Sequence, residues 1–124
     1  MEFKIDTKPT YIQLTPITNH VDANLTDALS QKCKELTESG SQNFIIDLHN
    51  CLDADINALG NLADMHAHFY NNNQSLVFTG IQAEVLNALK HNEVDSVINI
   101  APTQNEAIDI ISMEVLERDL FGEE

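Results

Sequence analysis

Asp47, His49, Asp53 and Asp55 place three carboxylates and an imidazole in one short stretch of chain. Those are ligand types for a divalent cation or anchoring groups for a small polar molecule, so a metal- or small-ligand-binding protein is one reading. Its rival is a loop at a strand end, with Asp55 capping the next helix. A metal site needs three or four converging ligands and supporting outer bonds, which one short loop rarely supplies. His66 and His68 lie two residues apart. On a helix that spacing turns them to different sides, His66 inward and His68 outward. His20, His49 and His91 fall in loops or at helix ends with no pattern linking them. Cys51 is two residues from His49, but activating a thiol requires an electropositive setting, and this chain is acidic. Cys33 and Cys51 lack CxxC spacing and read as small, semi-buried, reduced residues. The four glycines form no phosphate-binding loop. The expectation is a protein without catalytic residues, metal or cofactor, and not an enzyme.

The composition sharpens this. Twenty acidic residues against six basic give a net charge of −14. Such a surface repels nucleic acid and anionic lipid and suits a basic protein partner or simple solubility. No apolar run approaches the length of a membrane helix, and Met1-Glu2-Phe3-Lys4 lacks a signal pattern. A cytoplasmic protein without membrane insertion is expected. The length fits one domain over residues 1–124.

Alternating apolar residues predict strands at Phe3–Ile5 and Tyr11–Leu14, followed by a loop from Thr15 to His20. Asp22 or Asn24 caps a helix with Leu25, Ala28, Leu29, Lys32, Cys33 and Leu36 on one stripe, ended by Ser39-Gly40. Phe44–Leu48 reads as a strand covered on both faces. A loop from His49 to Asp55 leads into a helix from about Asn57 to Tyr70, with Leu59, Leu62, Ala63, His66 and Phe69 inward. After the Asn71–Asn73 turn come a strand at Ser75–Thr79, a break at Gly80, a helix at Gln82–His91 and a strand at Val97–Ile100. Thr103 and Glu106 form a capping box for a last helix with Ala107, Ile110, Ile111 and Leu116 inward. Ile110, Met113 and Leu120 read as further core, and Gly122-Glu123-Glu124 as a frayed tail. The order β-β-α-β-α-β-α-β-α predicts an α/β fold with a mixed, mostly parallel sheet of about five strands and about four helices.

This order resembles the STAS family, which includes bacterial anti-sigma-factor antagonists. The Phe44–Leu48 strand, the loop after it and Leu59-Gly60 look like that family's signature segment, an Asp-Ser-Ser-Gly-Leu-Gly type motif at a helix start. Leu76-Val77-Phe78, Val85, Leu89, Val94, Val97–Ile100 and Thr103-Gln104-Asn105-Glu106-Ala107 are similar to its closing half. Aligned on Leu59-Gly60, the family's phosphoacceptor position holds Ile56, followed by Asn57, and neither accepts phosphate. Shifting the register by two would set Asp53 at the family's Asp, with Ala54 and Asp55 at the serine positions, and would break the Leu-Gly match.

The resemblance implies a protein–protein interaction module in transcription regulation or signalling. Its partner would be a histidine-kinase-like ATPase acting as an anti-sigma factor. Binding would use the loop Asp53–Asn57 and the following helix, with Asp53, Asp55, Ile56, Asn57, Asn61 and Asp64 as partner-binding residues and no phosphoacceptor. STAS subunits of phospholipid-transport or stress-signalling assemblies are the alternative. An exposed Phe121 would serve self-association, making a homodimer.

Overall fold

The structure is a computed structural model and describes residues 2–121; the expected Gly122–Glu124 tail lies outside the described residues. β1 (Phe3–Thr7) pairs antiparallel with β2 (Ile12–Pro16). β3 (His20–Val21) leads into α1 (Ala23–Glu38), then come β4 (Asn43–Asp47), β5 (Asp53–Ala54) and α2 (Ile56–Asn71). β6 (Ser75–Thr79), α3 (Ala83–His91), β7 (Ile100–Ala101) and α4 (Gln104–Phe121) complete the chain. The main sheet runs β1-β2-β4-β6-β7, parallel after its first pair. Register aligns Ile5, Leu14, Ile46, Phe78 and Ile100 in a row across it. The expected α/β fold of five strands and four helices is therefore present.

Strand alternation divides the core in two. Leu14, Phe44, Ile46, Leu76 and Phe78 point to the face covered by Leu25 and Leu29 of α1, Leu59, Leu62 and Phe69 of α2, and Val85 and Leu89 of α3. Phe44 and Phe69 meet edge to face at 5.5 Å between ring centroids, and burying each such ring contributes roughly 1.5–3 kcal/mol. Ile45, Val77 and Ala101 point the other way, onto Ala107 and Ile111 of α4.

The caps fall at the expected residues. The Leu25 N–H donates to Asp22 Oδ1 at 2.8 Å at the start of α1, and the Glu106 N–H donates to Thr103 Oγ1 at 3.2 Å at the start of α4. Gly40 follows α1 with φ of 111°, a conformation that favours glycine.

Four expectations are corrected. The Thr15–His20 loop is shorter, because β2 runs on to Pro16 and His20 opens β3. The His49–Asp55 loop contains β5, which pairs in parallel with β3 as His20↔Asp53 and Val21↔Ala54. Val97 is not in a strand: its N–H closes a turn onto Val94 O at 3.0 Å, its side chain is exposed, and β7 begins at Ile100. Met113, Leu116 and Leu120 are 61%, 58% and 65% exposed and so are not core. One helix on a sheet buries one stripe, here Ala107 and Ile111. At 3.6 residues per turn, Met113, Leu116 and Leu120 fall on the opposite side.

Candidate functional site

Parallel strands deliver their following loops to one end of a sheet, the usual place for function in open α/β folds. Here the loops after β2 and β4 fold against each other there. The Leu52 N–H donates to Asn19 O at 2.8 Å, the Asp55 N–H to Val21 O at 2.8 Å and Asn50 Nδ2 to Pro16 O at 3.1 Å.

The β3–β5 pairing brings His20 beside Asp53, and the two-residue period of an extended chain returns Asp55 to the same side. His20 Nδ1 bonds Asp53 Oδ1, and Nε2 bonds Asp55 Oδ1 at 2.9 Å. A neutral imidazole has one donor, so holding both carboxylates requires the imidazolium. The hydrogen bond to Asp53 is the main cause raising the His20 pKa above 6.5; desolvation opposes it, and Asp55 adds to it. Asp55 occupies the N-cap position of α2, but its side chain makes no cap bond. The expected cap is corrected: the carboxylate is turned to His20 instead.

Asp47 and His49 form a separate pair. Asp47 Oδ1 accepts from the His49 N–H and lies 3.0 Å from His49 Nδ1, while Gln82 Nε2 donates to His49 O at 2.8 Å. Gly80 lets β6 end against this pair. Its φ is 68°, and a Cβ there would lie 2.2 Å from Asp47 Oδ1. The fold thus divides Asp47 and His49 from Asp53 and Asp55, and among the described residues no group of three or more His, Cys, Asp or Glu side chains could hold a metal ion.

Both thiols are buried. Burial pushes Cys33 up to about 12 and, with the charges of Asp22, Asp47 and Asp53, pushes Cys51 up to about 11. Cys51 Sγ faces Thr18 O at 3.5 Å, and His49 is engaged with Asp47, so the two form no nucleophile–base pair.

Ile56 and Asn57 are exposed on the first turn of α2. Asp64 is exposed two turns on, but Asn61 is half-buried and its Nδ2 donates to Thr26 Oγ1 of α1 at 3.1 Å. Asn61 and Asp64 therefore border the groove between α1 and α2, apart from the cluster at the start of α2. His66 is buried, with burial lowering its pKa, and Nε2 accepts from the Asn99 N–H at 3.1 Å. His68 and His91 are exposed.

Sequence reasoning missed three residues of this end of the sheet. His20 has no local signal in the sequence, because its partners lie 33 and 35 positions away. Ile17 in the loop after β2 and Leu52 in the loop after β4 are 54% and 57% exposed, and Ile56 is 68% exposed. Apolar residues within predicted loops were the available signal.

No curated sequence matches the chain. Solved structures share its fold at low identity. A candidate anti-sigma factor antagonist from Thermotoga maritima is 14% identical with a TM-score of 0.75, over 89% of this chain and 94% of that one. RsbS from Moorella thermoacetica is 16% identical with a TM-score of 0.73, over 95% and 99%. The anti-sigma factor antagonist SpoIIAA in its unphosphorylated form is 12% identical with a TM-score of 0.68, over 90% and 96%. The STAS domain family matches residues 7–107, from the end of β1 into α4. With that match and the strand order described above, the chain belongs to the STAS domain family.

Proposed function

We propose that this protein is a regulatory binding module of the anti-sigma-factor-antagonist kind and not an enzyme. It meets its partner with the loop Asp53–Asn57 and the first turns of α2. The observation that carries the reading is the exposure of Leu52 and Ile56, which flank Asp53 and Asp55 in the chain, and of Ile17 in the loop that hydrogen-bonds to theirs. Large apolar side chains with a polar rim are the composition of a recognition surface. His20 positions the two carboxylates rather than contributing chemistry. The partner of this reading is a histidine-kinase-like ATPase acting as an anti-sigma factor. Asn57 lies in the contact, while Asn61 and Asp64 meet the partner only where it extends along the α1–α2 groove.

Ile56 offers no hydroxyl. A phosphate would add nearly two negative charges at this surface; without an acceptor at this position, the loop keeps its affinity under kinase action. Binding is then constitutive or controlled by another input.

The test is affinity purification from the native organism with mass spectrometry, using the parent and Asn57→Arg and Ile56→Arg variants. The expected result is recovery of the ATPase by the parent and its loss with both variants, their far-UV circular dichroism being unchanged. Recovery of phospholipid-transport or stress-assembly subunits without an ATPase would overturn the partner. Equal recovery by parent and variants would overturn the site.

A further inference from the structure

The outward side of α4 carries Glu106, Asp109, Met113, Leu116, Glu117 and Leu120, all exposed. Their spacings of three, four and seven place them along one side of the helix. Phe121, 73% exposed, extends the apolar end. The only basic residue of α4 is Arg118. It is turned inward, Nη1 donating to Ser75 Oγ at 2.8 Å and Nη2 to Asn43 Oδ1 at 2.7 Å. The outward side is thus an apolar stripe bordered by acid.

We infer that this side of α4 is a second docking surface, and that it takes a basic amphipathic helix of another protein. Charge selects the occupant. A second copy of this chain would set Glu106, Asp109 and Glu117 against their own kind, on molecules that each carry −14. An anionic membrane is repelled in the same way. A helix with Leu, Ile or Met at i, i+3 or i+4, and i+7 can lay those side chains between Met113, Leu116 and Leu120, as amphipathic helices do when they pack on a partner. Lys or Arg beside its apolar row would then face Asp109 and Glu117. From Glu106 to Leu120 the stripe is about 21 Å long at 1.5 Å per residue, which matches a partner helix of about four turns. The surface lies on the opposite face of the sheet from α2, so the inference does not depend on the function proposed for the α2 end.

The test uses two synthetic helical peptides with the same Leu rows, one flanked by Lys and one by Glu. Binding is measured by fluorescence anisotropy and amide chemical shifts on the parent, Leu116→Gln/Leu120→Gln and Ile56→Arg. Both glutamines replace exposed side chains, so the fold is retained. The basic peptide is expected to shift amides of residues 106–120 and to bind the double variant about tenfold more weakly, an effect of about 1.4 kcal/mol. The Ile56→Arg variant should bind as the parent does. Equal binding by the double variant would overturn the inference, reducing the effect to general attraction by an acidic protein. So would equal binding of the acidic peptide, a dimer lost in the double variant, or stripe-dependent binding to phosphatidylglycerol vesicles.

Discussion

On one face of the sheet α1, α2 and α3 enclose Leu14, Phe44, Ile46, Leu76 and Phe78; on the other, α4 alone lies over Ile45, Val77 and Ala101. The difference follows from strand alternation. The first face receives the large residues of β4 and β6. The second receives Asn43, Ile45, Ser75, Val77 and Thr79, a mixture that one helix can satisfy partly through hydrogen bonds such as those of Arg118. Stability is therefore concentrated on the three-helix face, and α4 is left with a side facing solvent.

Breaking the core should expose this asymmetry most strongly. Phe78→Ala, on the three-helix face, is expected to cost about 3–5 kcal/mol, and Ile111→Ala, under α4, roughly 2–3 kcal/mol. Urea unfolding with unchanged slopes checks the difference; an equal or larger loss at Ile111 would reverse the ranking of the faces. Gly80→Ala should cost about 2 kcal/mol or more through the left-handed backbone, and more if Asp47 is displaced. Its signature would be a change in the His49 ring resonances by NMR.

Smaller effects sharpen the contrast between the sheet ends. The His20 clasp is exposed, so its contribution is modest. Its raised pKa gives the sign: the stabilisation is fully present below pH 6.5 and is lost as pH rises through the higher folded value. His66, with a lowered pKa, acts oppositely, losing stability as pH falls from 6.5 through its folded value. His20→Gln should remove the first dependence and keep the second, which stability measured from pH 5 to 8 will read. Smallest of all, Leu120→Gln should change stability by no more than about 0.5 kcal/mol, and a larger loss would return that side of α4 to the core.

The sequence made the regular elements legible because their apolar periods are long enough to read: the caps at Asp22 and Thr103, the Phe44–Leu48 run and the buried side of α2 all stand where periodicity put them. β3 and β5 are two residues each, too short for any period, so the pairing that joins His20 to Asp53 and Asp55 had no local trace. The outward stripe of α4 departs from expectation for the opposite reason. Met113, Leu116 and Leu120 have a clear helical period, and only the number of covering layers decides whether such a stripe is buried. At the site itself, Ile56 and Asn57 stand exposed on the first turn of α2, whereas Asn61 is drawn aside by Thr26.

Glu114, near the middle of α4, accepts from Asn99 Nδ2 at 3.0 Å through one oxygen, while the other is buried without a partner. Burial pushes its pKa up to about 7, against a pull from Arg118. A carboxyl raised in this way holds its proton longer in the folded chain than in the open one, so its contribution declines as pH rises from about 4.5 to about 7. The helix that covers the second face of the sheet thus also carries a group whose ionisation loosens it as pH rises towards neutrality. In the language of hydrogen exchange, α4 is expected to open as a cooperative unit of its own, its amides exchanging by a local detachment while β4 and β6 stay protected, and that detachment should become more frequent as pH rises from about 4.5 towards 7.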